Sequence, residues 1–443
     1  MKRKICLILV LCFIFAIAAC AAPEATTPAE ETPAATPEPT PAQEPEEPEE
    51  PDEPDEPDAD RDPVVVYSRF IVTQDDPWFV ALSDAVYEEL GIVLEGVGAP
   101  THFGDFMPVV TAMLAAGDSE MDIIHLDELL SISFASAGFL EPINDVMTPE
   151  VRAAFNPAVI ETNVMFAGDA YLVPVNTNSM LFYVNKRMFE EAGLEYPTTG
   201  EEFLEAAIAL TGDGVYGYGG AWLAAGPLYN EYIRWIRKYG GHPLDFTTPQ
   251  ARAGLQAMYD FIHVHGVTPS TTLANDLGML NQKFVDGHYA MVWGWGGLFG
   301  IIGDDMGEEF DVAPMPTWET NYTVGAGWHM ALNRFSTNQE AAKQVLSFMA
   351  TDAGQRINVL SFDGTPARLE TLTNPEVIGE NQLLRILGEY AAAGSIVPRP
   401  TPVEVNEIST GVEPIVHMFL MGDITLDEAV EQSQNIIDSA LGR

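Results

Sequence analysis

Residues 63–127 alternate between short apolar runs and longer amphipathic segments. Three of the runs have the length of buried strands, namely "PVVVYSRF" (63–70), "GIVLEGVG" (91–98) and "MDIIHLD" (121–127). The two segments between them, 75–90 and 105–117, repeat apolar residues at helical spacing. Asp76 is expected to cap the first helix and Gly117 to end the second. The order βαβαβ predicts an α/β fold in which helices cover a largely parallel sheet.

The rest of the chain mixes the two patterns. "YLVPVNTNSMLFYVN" (171–185) is strand-like, long amphipathic helices dominate 228–287, and a further strand is expected at 288–292. Helices are also predicted near 186–193, 201–212, 336–360, 383–393, 405–421 and 425–441. Residues 63–443 are too many for one simple core, so the length indicates two lobes.

The beginning of the sequence has the pattern of a secretory leader. Three basic residues are followed by an apolar run that ends at Cys20, which predicts a signal peptide over 1–19. The small residues before Cys20 resemble a bacterial lipobox, which implies cleavage there and lipidation of the Cys20 sulfur; an uncleaved N-terminal anchor is the alternative. Residues 21–62 are almost entirely Pro, Glu, Asp, Ala and Thr, a composition that predicts a disordered acidic linker. The expected location is the outer face of the cell membrane, and a long spacer suits a thick Gram-positive wall.

Charge and cysteine content narrow the possible partners. The net charge is −46, of which −34 remains on residues 63–443 after the leader and linker are subtracted. Such an acidic surface argues against nucleic acids and anionic lipid surfaces as partners. All three cysteines lie within the first twenty residues, so the folded part has no disulfide. Since HExxH, Walker and GxSxG motifs are absent from the sequence, we expect no metal site and no cofactor.

Four tryptophans are candidates for ligand contact. In "HYAMVWGWGG" (288–297), Trp293 and Trp295 follow a predicted strand and stand among glycines. Flat aromatic rings suit the apolar face of a ring-bearing ligand, so at least one indole is expected to be a stacking platform. Trp295 is preferred because it lies further into the loop, and packing between helices is the alternative for the other. Trp328 after Gly327 and Trp222 in a glycine-flanked loop are further candidates, with core packing as the alternative for Trp328.

Polar candidates follow the predicted strands. Asp127 ends the third strand, where it could bind solute hydroxyls, cap the next helix, or do both. Arg69 follows the first strand and is expected to bind hydroxyls, with a surface salt bridge as the alternative. Asn176 and Asn178 carry planar amides that suit bidentate hydrogen bonding to vicinal hydroxyls.

Four collinear segments resemble the bacterial extracellular solute-binding proteins that feed sugar ABC transporters. They are "MDIIHLDELLSISFASAGFLEPI" (121–143), "YLVPVNTNSMLFYVNKRMFEEAGLEYPTTGEEFLEAA" (171–207), "LNQKFVDGHYAMVWGWGG" (280–297) and "STNQEAAKQVLSFMATDAGQ" (336–355). The chain departs from the family pattern at Gly200 and Gly297, where relatives carry tryptophan, and at Asn178, where maltose binders carry an acid. These departures prevent the ligand from being carried over, and maltose itself is not expected.

The resemblance implies a two-lobe, periplasmic-binding-protein-like (type II) fold, each lobe a mostly parallel sheet flanked by helices. Hinge crossings are expected at 174–178, 311–317 and 362–367. Lobe one would then be 63–173 plus 318–363, and lobe two 179–312 plus 367–443. By the same analogy Glu404 and Asn406 would line the interlobe cleft.

The predicted function is a monomeric receptor that captures a carbohydrate, most simply an oligosaccharide, and delivers it to the subunits of an ABC permease. A receptor for a non-sugar solute and a binding protein linked to a membrane sensor remain alternatives. A secreted glycoside hydrolase would need a pair of carboxylates as acid and nucleophile, and no such pair stands out in the sequence. We therefore expect a binding protein and not an enzyme.

Overall fold

The computed structural model describes residues 62–100, 103–306, 309–360, 364–379 and 381–443. The predicted signal peptide (1–19), Cys20, and the predicted linker up to residue 61 lie outside the described residues. Within the described ranges, no helix is both long and apolar enough to cross a membrane.

The strands of the described residues are numbered in chain order. They are β1 (Val64–Ser68), β2 (Leu94–Gly98), β3 (Ile123–Asp127), β4 (Met165–Phe166), β5 (Asp169–Ala170), β6 (Leu172–Pro174), β7 (Asn178–Asn185), β8 (Tyr216–Gly219), β9 (Tyr289–Trp295), β10 (Phe310–Ala313), β11 (Thr323–Ala326), β12 (Trp328–Leu332) and β13 (Ile396–Pro398). Strands β1, β2, β3, β6, β7 and β9 overlap the predicted strand segments, whereas the others were not predicted from the sequence.

The α-helices of the described residues are numbered in the same way. They are α1 (Pro77–Leu90), α2 (Phe103–Ala115), α3 (Glu128–Ser136), α4 (Pro149–Arg152), α5 (Pro157–Val159), α6 (Lys186–Ala192), α7 (Gly200–Ala209), α8 (Pro227–Lys238), α9 (Pro249–His263), α10 (Leu277–Val285), α11 (Gly297–Met306), α12 (Gln339–Met349), α13 (Asp352–Ile357), α14 (Leu369–Leu372), α15 (Pro375–Ile378), α16 (Gln382–Ala392), α17 (Val405–Met421) and α18 (Leu426–Ala440). The prediction for Asp76 is confirmed, because its side chain accepts the Trp78 N–H at the start of α1.

The first sheet has the strand order β2-β1-β3-β12-β6 and defines lobe one. Strands β1, β2 and β3 are parallel, as the βαβαβ pattern predicted, and only β12 runs against its neighbours. Apolar side chains from these strands and from α1, α2, α3 and α12 form one buried core.

The second sheet has the order β13-β11-β7-β9-β8 with β10 also paired to β7, and it defines lobe two. Here β7 is the strand that runs against the others. Helices α7, α8, α9, α17 and α18 contribute to a separate core around this sheet. Two mostly parallel sheets flanked by helices confirm the predicted α/β, two-lobe class.

The first two passages between the lobes can be read from the sheets. The chain leaves β6 after Pro174 and enters β7 at Asn178. It returns at Gly327, the single residue between β11 of lobe two and β12 of lobe one. The predicted crossing at 311–317 is wrong, because β10 pairs with β7 and Thr317 bridges Thr199 within lobe two. Glycine is needed at 327, since an added Cβ would lie 2.6 Å from the Asn176 carbonyl oxygen on the first crossing.

The third passage also lies later than the predicted 362–367. Ala367 and Arg368 donate backbone N–H groups to the Gln355 side chain of lobe one, and the Thr371 hydroxyl donates to Asp352. Four buried side chains of α16, those of Leu383, Ile386, Leu387 and Tyr390, belong to the core of lobe two. The chain therefore changes lobe between α14 and α16, because Ala367, Arg368 and Thr371 are still bonded to α13 of lobe one. Residues 362 and 363 lie outside the described residues.

The glycine that replaces a family tryptophan has a structural counterpart. A Cβ at Gly200 would lie 2.3 Å from Nε1 of Trp318, so the indole of Trp318 occupies the space over this glycine. That indole packs 5.4 Å from the ring of Phe203. The indole of Trp318, which comes from a distant loop, thus packs where a side chain at position 200 would lie.

Candidate functional site

The carboxyl end of β3 and the beginning of β12 lie at the same edge of lobe one. The two strands are antiparallel neighbours, and Trp328 pairs directly with Asp127. Arg69 follows β1, which is parallel to β3, so its side chain reaches the same edge. The structure thus brings together three of the residues that the sequence singled out.

Trp328 lies in an aromatic cluster and is 8% exposed. Its ring meets that of Phe70 edge-on at 4.9 Å and lies 5.8 Å from that of Phe106. The Arg69 guanidinium lies 5.3 Å from the centroid of the indole. Most of the indole therefore packs on lobe one, and Arg69 stands over it as a cation–π partner.

Asp127 has two partners on one oxygen. Its Oδ1 accepts the backbone N–H of Leu129 at 2.9 Å and so caps α3, which confirms the capping interpretation. The same oxygen accepts from Nη2 of Arg399, also at 2.9 Å. The carboxylate is thus held from its own lobe and from lobe two.

Arg399 is the site residue that the sequence interpretation missed. It follows β13 of lobe two, and its side chain is 4% exposed. Nε donates to Glu128 Oε1 at 2.7 Å, and Nη1 donates to Asn230 Oδ1 at 3.2 Å. The available signal was a lone charge between two prolines in "SIVPRPTPV" (395–403), since a charge in an apolar segment needs a buried partner.

Burial dominates the electrostatics of this region. It raises the pKa of Glu128 to about 7, against the opposing charge of Arg399. For Arg399, burial lowers the pKa, but Asp127 and Glu128 outweigh it and the net shift is upward. The guanidinium is therefore charged, and it neutralises one of the two carboxylates that face it.

The two asparagines fasten the first crossing to its surroundings. The Oδ1 atom of Asn176 accepts the Trp328 N–H at 2.8 Å. The Oδ1 atom of Asn178 accepts N–H groups from Ser179 and Gly296, at 2.7 and 3.1 Å. Both lone pairs of the Asn178 amide oxygen are thus used by the backbone, and the contact of Asn176 and Asn178 with solute hydroxyls stays a prediction.

The two tryptophans of "HYAMVWGWGG" have different environments. Strand β9 does not end at 292 but pairs with β7 as far as Trp295, which puts Trp293 and Trp295 on one face of the strand. Trp293 is fully buried, stacked 4.8 Å from Phe203 and 4.1 Å from the Arg234 guanidinium. The prediction that Trp293 contacts solute is therefore wrong, because helices of lobe two cover that part of the strand.

Trp295 lies two residues further along the same face of β9, where the helices of lobe two no longer bury the side chain completely. Its side chain is partly exposed, and the Arg399 guanidinium lies 5.8 Å from its ring. Its carbonyl accepts the Tyr183 hydroxyl at 3.0 Å, which fixes the strand end. Position along the strand, rather than the face of the strand, separates Trp295 from Trp293.

Trp222 is a core residue of lobe two. It is fully buried, and its Nε1 donates to Glu231 Oε2 at 3.1 Å. Glu231 also pairs with Arg234, which is itself fully buried. The predicted closure of Trp222 over a ligand is wrong, because its polar edge is committed to this internal ion pair.

Glu404 and Asn406 lie at the beginning of α17 and are partly exposed. Glu404 occupies the N-cap position without capping the helix through its side chain. Helix α17 lies against α3 of lobe one. The two residues are therefore near the boundary between the lobes, and Thr401, just before them, is bonded across the boundary to Asn163.

Comparison with known proteins supports this architecture. Residues 73–356 match the family described as bacterial extracellular solute-binding protein. The arabinooligosaccharide-binding protein of Halalkalibacterium halodurans is 23% identical over 336 residues, which cover 68% of this chain and 72% of that protein. The maltotriose-binding protein of Pyrococcus abyssi is 25% identical over 272 residues, 55% of this chain and 54% of its own length. Maltose-bound MalE3 of T. maritima shares the fold with a TM-score of 0.73 at 22% identity, over 85% of this chain and 99% of that one.

Proposed function

Since the chain belongs to the bacterial extracellular solute-binding protein family, we propose that it captures a carbohydrate, in particular an oligosaccharide, between its lobes and delivers it to an ABC permease. The relatives named for arabinooligosaccharide and maltotriose binding support this solute class. The chain would supply recognition only, and the partner transporter would supply the energy for uptake.

One observation carries the proposal. Trp328 of lobe one is the strand partner of Asp127, to which Arg399 donates, and the ring of Trp295 of lobe two lies 5.8 Å from the Arg399 guanidinium. Carbohydrate sites combine aromatic faces, which pack on axial C–H groups, with charged side chains that bond the hydroxyls. The Arg69 guanidinium, 5.3 Å from the Trp328 ring, adds a positive charge at the same edge.

The chain crossings suit a hinge. At two of the passages, 175–177 and Gly327, the chain changes sheet within one to three residues. We infer that solute enters between the lobes and that rotation about these segments closes them around it. The proposed location is extracytoplasmic, with lipidated Cys20 as the anchor and the acidic segment 21–62 as the spacer.

The proposal is tested with residues 21–443 and a panel of mono- and oligosaccharides. A binder at 100 times its dissociation constant should stabilise the protein by about 2.7 kcal/mol and raise its melting temperature. Tryptophan fluorescence should change in the unaltered protein and not in Trp295→Ala, whereas Trp295→Phe, which keeps an aromatic ring, should retain affinity.

The other outcomes distinguish the alternatives. Stabilisation with unchanged fluorescence would keep the receptor and contradict the role of Trp295. No response to any saccharide, together with a response to a non-sugar solute, would contradict the solute class. Turnover of a chromogenic glycoside would favour the hydrolase.

A further inference from the structure

The segment 399–401 of lobe two is bonded to lobe one through charged and neutral groups. Each of the three nitrogens of Arg399 has its own partner, namely Glu128 through Nε, Asp127 through Nη2 and Asn230 through Nη1. Asp127 and Glu128 belong to lobe one and Asn230 to lobe two. The side chains of Arg399, Asp127 and Glu128 are 4%, 11% and 1% exposed, so water screens these contacts little.

A neutral contact lies beside the charged one. The Thr401 hydroxyl is within hydrogen-bonding distance of two lobe one oxygens, Asn163 Oδ1 at 3.1 Å and the Thr162 carbonyl at 3.2 Å. Asn163 in turn donates to Glu128 Oε2 at 3.0 Å, so the two contacts share one network. Glu128 thus receives hydrogen bonds from both lobes.

Side chains of lobe two also form hydrogen bonds to the backbone of this segment and of the strand before it. The Tyr229 hydroxyl donates to the Pro400 carbonyl at 2.8 Å, and Arg237 donates to the Val397 and Pro398 carbonyls at 2.8 and 2.6 Å. A segment fixed at both ends cannot follow lobe one when the lobes rotate. The bonds of Arg399 and Thr401 to lobe one must therefore stretch instead.

The network lies at the crossing itself. The Arg399 N–H donates to the Gly325 carbonyl before the crossing, and the Glu128 N–H donates to that of Gly327. Hydrogen bonds weaken steeply when donor and acceptor move beyond about 3.2 Å. A rotation of the lobes that carries Asp127 and Glu128 away from Arg399 therefore breaks these bonds once the distances between donor and acceptor exceed that range.

We propose that Arg399 is an interlobe clamp, which holds the lobes together before solute arrives and sets the ratio of closed to open protein. The inference rests on the proposed function only in its consequence for affinity. If closed protein binds best, the apparent dissociation constant equals the intrinsic one divided by the closed fraction, so loosening the clamp weakens binding. Loosening the clamp also raises the rate constants of both association and dissociation, because solute enters and leaves through the open form.

The clamp is tested without any solute. Residues 21–443 contain no cysteine, so spin labels can be placed at Val72→Cys on lobe one and Ala225→Cys on lobe two, both exposed. Pulsed dipolar spectroscopy should show a lengthened distance distribution for Arg399→Gln, with the closed-to-open ratio lowered roughly tenfold or more. Arg385→Gln is the matched control, since Arg385 is exposed and pairs with Glu389 inside α16.

Identical distributions for the unaltered protein and folded Arg399→Gln would overturn the proposal. If Arg399→Gln does not fold, Thr401→Val serves instead, because it removes the neutral contact without leaving a buried charge. Thr401→Val should lower the closed-to-open ratio about fivefold. An unchanged distance distribution in this variant would likewise overturn the proposal. Arg399→Lys should restore part of the closed population, since one ammonium cannot reproduce the planar fork. None of these distances depends on carbohydrate binding, so failure of the clamp is distinguishable from failure of the proposed function.

Discussion

His329 is a buried histidine, and at mildly acidic pH we expect it to bind a proton only in the unfolded chain. It lies in the middle of β12, between β3 and β6, and is fully buried. Neither ring nitrogen has a hydrogen-bond partner among the described residues. Burial, and next the charge of Arg399, lower the pKa of His329 to about 3.

The expected loss of stability follows from proton linkage. Unfolded histidine has a pKa of about 6.5, so below that pH the unfolded state binds a proton that the native state does not. Stability therefore falls as the pH drops from 6.5 towards 3. A native pKa of about 3 gives a loss of about 2 kcal/mol between pH 7.5 and pH 5 for His329 alone.

The assay compares the protein with His329→Gln, which does not titrate. Urea unfolding of both at pH 7.5 and pH 5 should show that the variant gains about 2 kcal/mol relative to the parent at the lower pH. The comparison is needed because burial raises the pKa of Glu128 and of Glu413 to about 7, and these acids stabilise the native state as the pH falls. Both proteins carry them, so their effect cancels. Parallel pH profiles would refute the reasoning and mean that native His329 accepts a proton.

Two further predictions concern other parts of the chain. Trp293→Ala should lower the free energy of unfolding by about 3–5 kcal/mol, because it removes a stacked side chain from the core of lobe two. The affinity of the folded variant for carbohydrate should be unchanged. Urea unfolding measures the stability and calorimetry the affinity, and weakened binding with little loss of stability would contradict the core assignment. Cys20→Ala should move the protein from the cell membrane to the culture medium, as shown by fractionation and immunoblotting, and retention in the membrane would argue for an uncleaved anchor.

Short-range features of the fold were predictable from the sequence. The strands and helices of residues 63–127 and the cap at Asp76 follow from spacing and residue type within about fifteen positions. The late helices α17 and α18 match their predicted ranges to within a residue for the same reason. Chain length indicated two lobes, and the family resemblance added the periplasmic-binding-protein-like class, which local patterns alone do not specify.

Packing by residues that are distant in sequence decided which candidate side chains are accessible to solute. Trp293 and Trp295 have the same residue type, strand and face, and they differ because Phe203 and Arg234 cover only the first. The predicted second crossing failed similarly, since β10 stays in lobe two by pairing with β7, whose sequence lies more than a hundred residues earlier. Sequence spacing contains no information about such partners.

The amino-acid sequence by itself determined the strands and helices of residues 63–127, the caps at Asp76 and Asp127, and the sheet edge at which Asp127 lies, because these depend on neighbours along the chain. Tertiary structure alone decided that Arg399, 272 residues from Asp127, completes that edge from the opposite lobe. A guanidinium can be buried only where carboxylates and amides replace its water. Those groups come from β3, α3 and α8, and only folding brings them together.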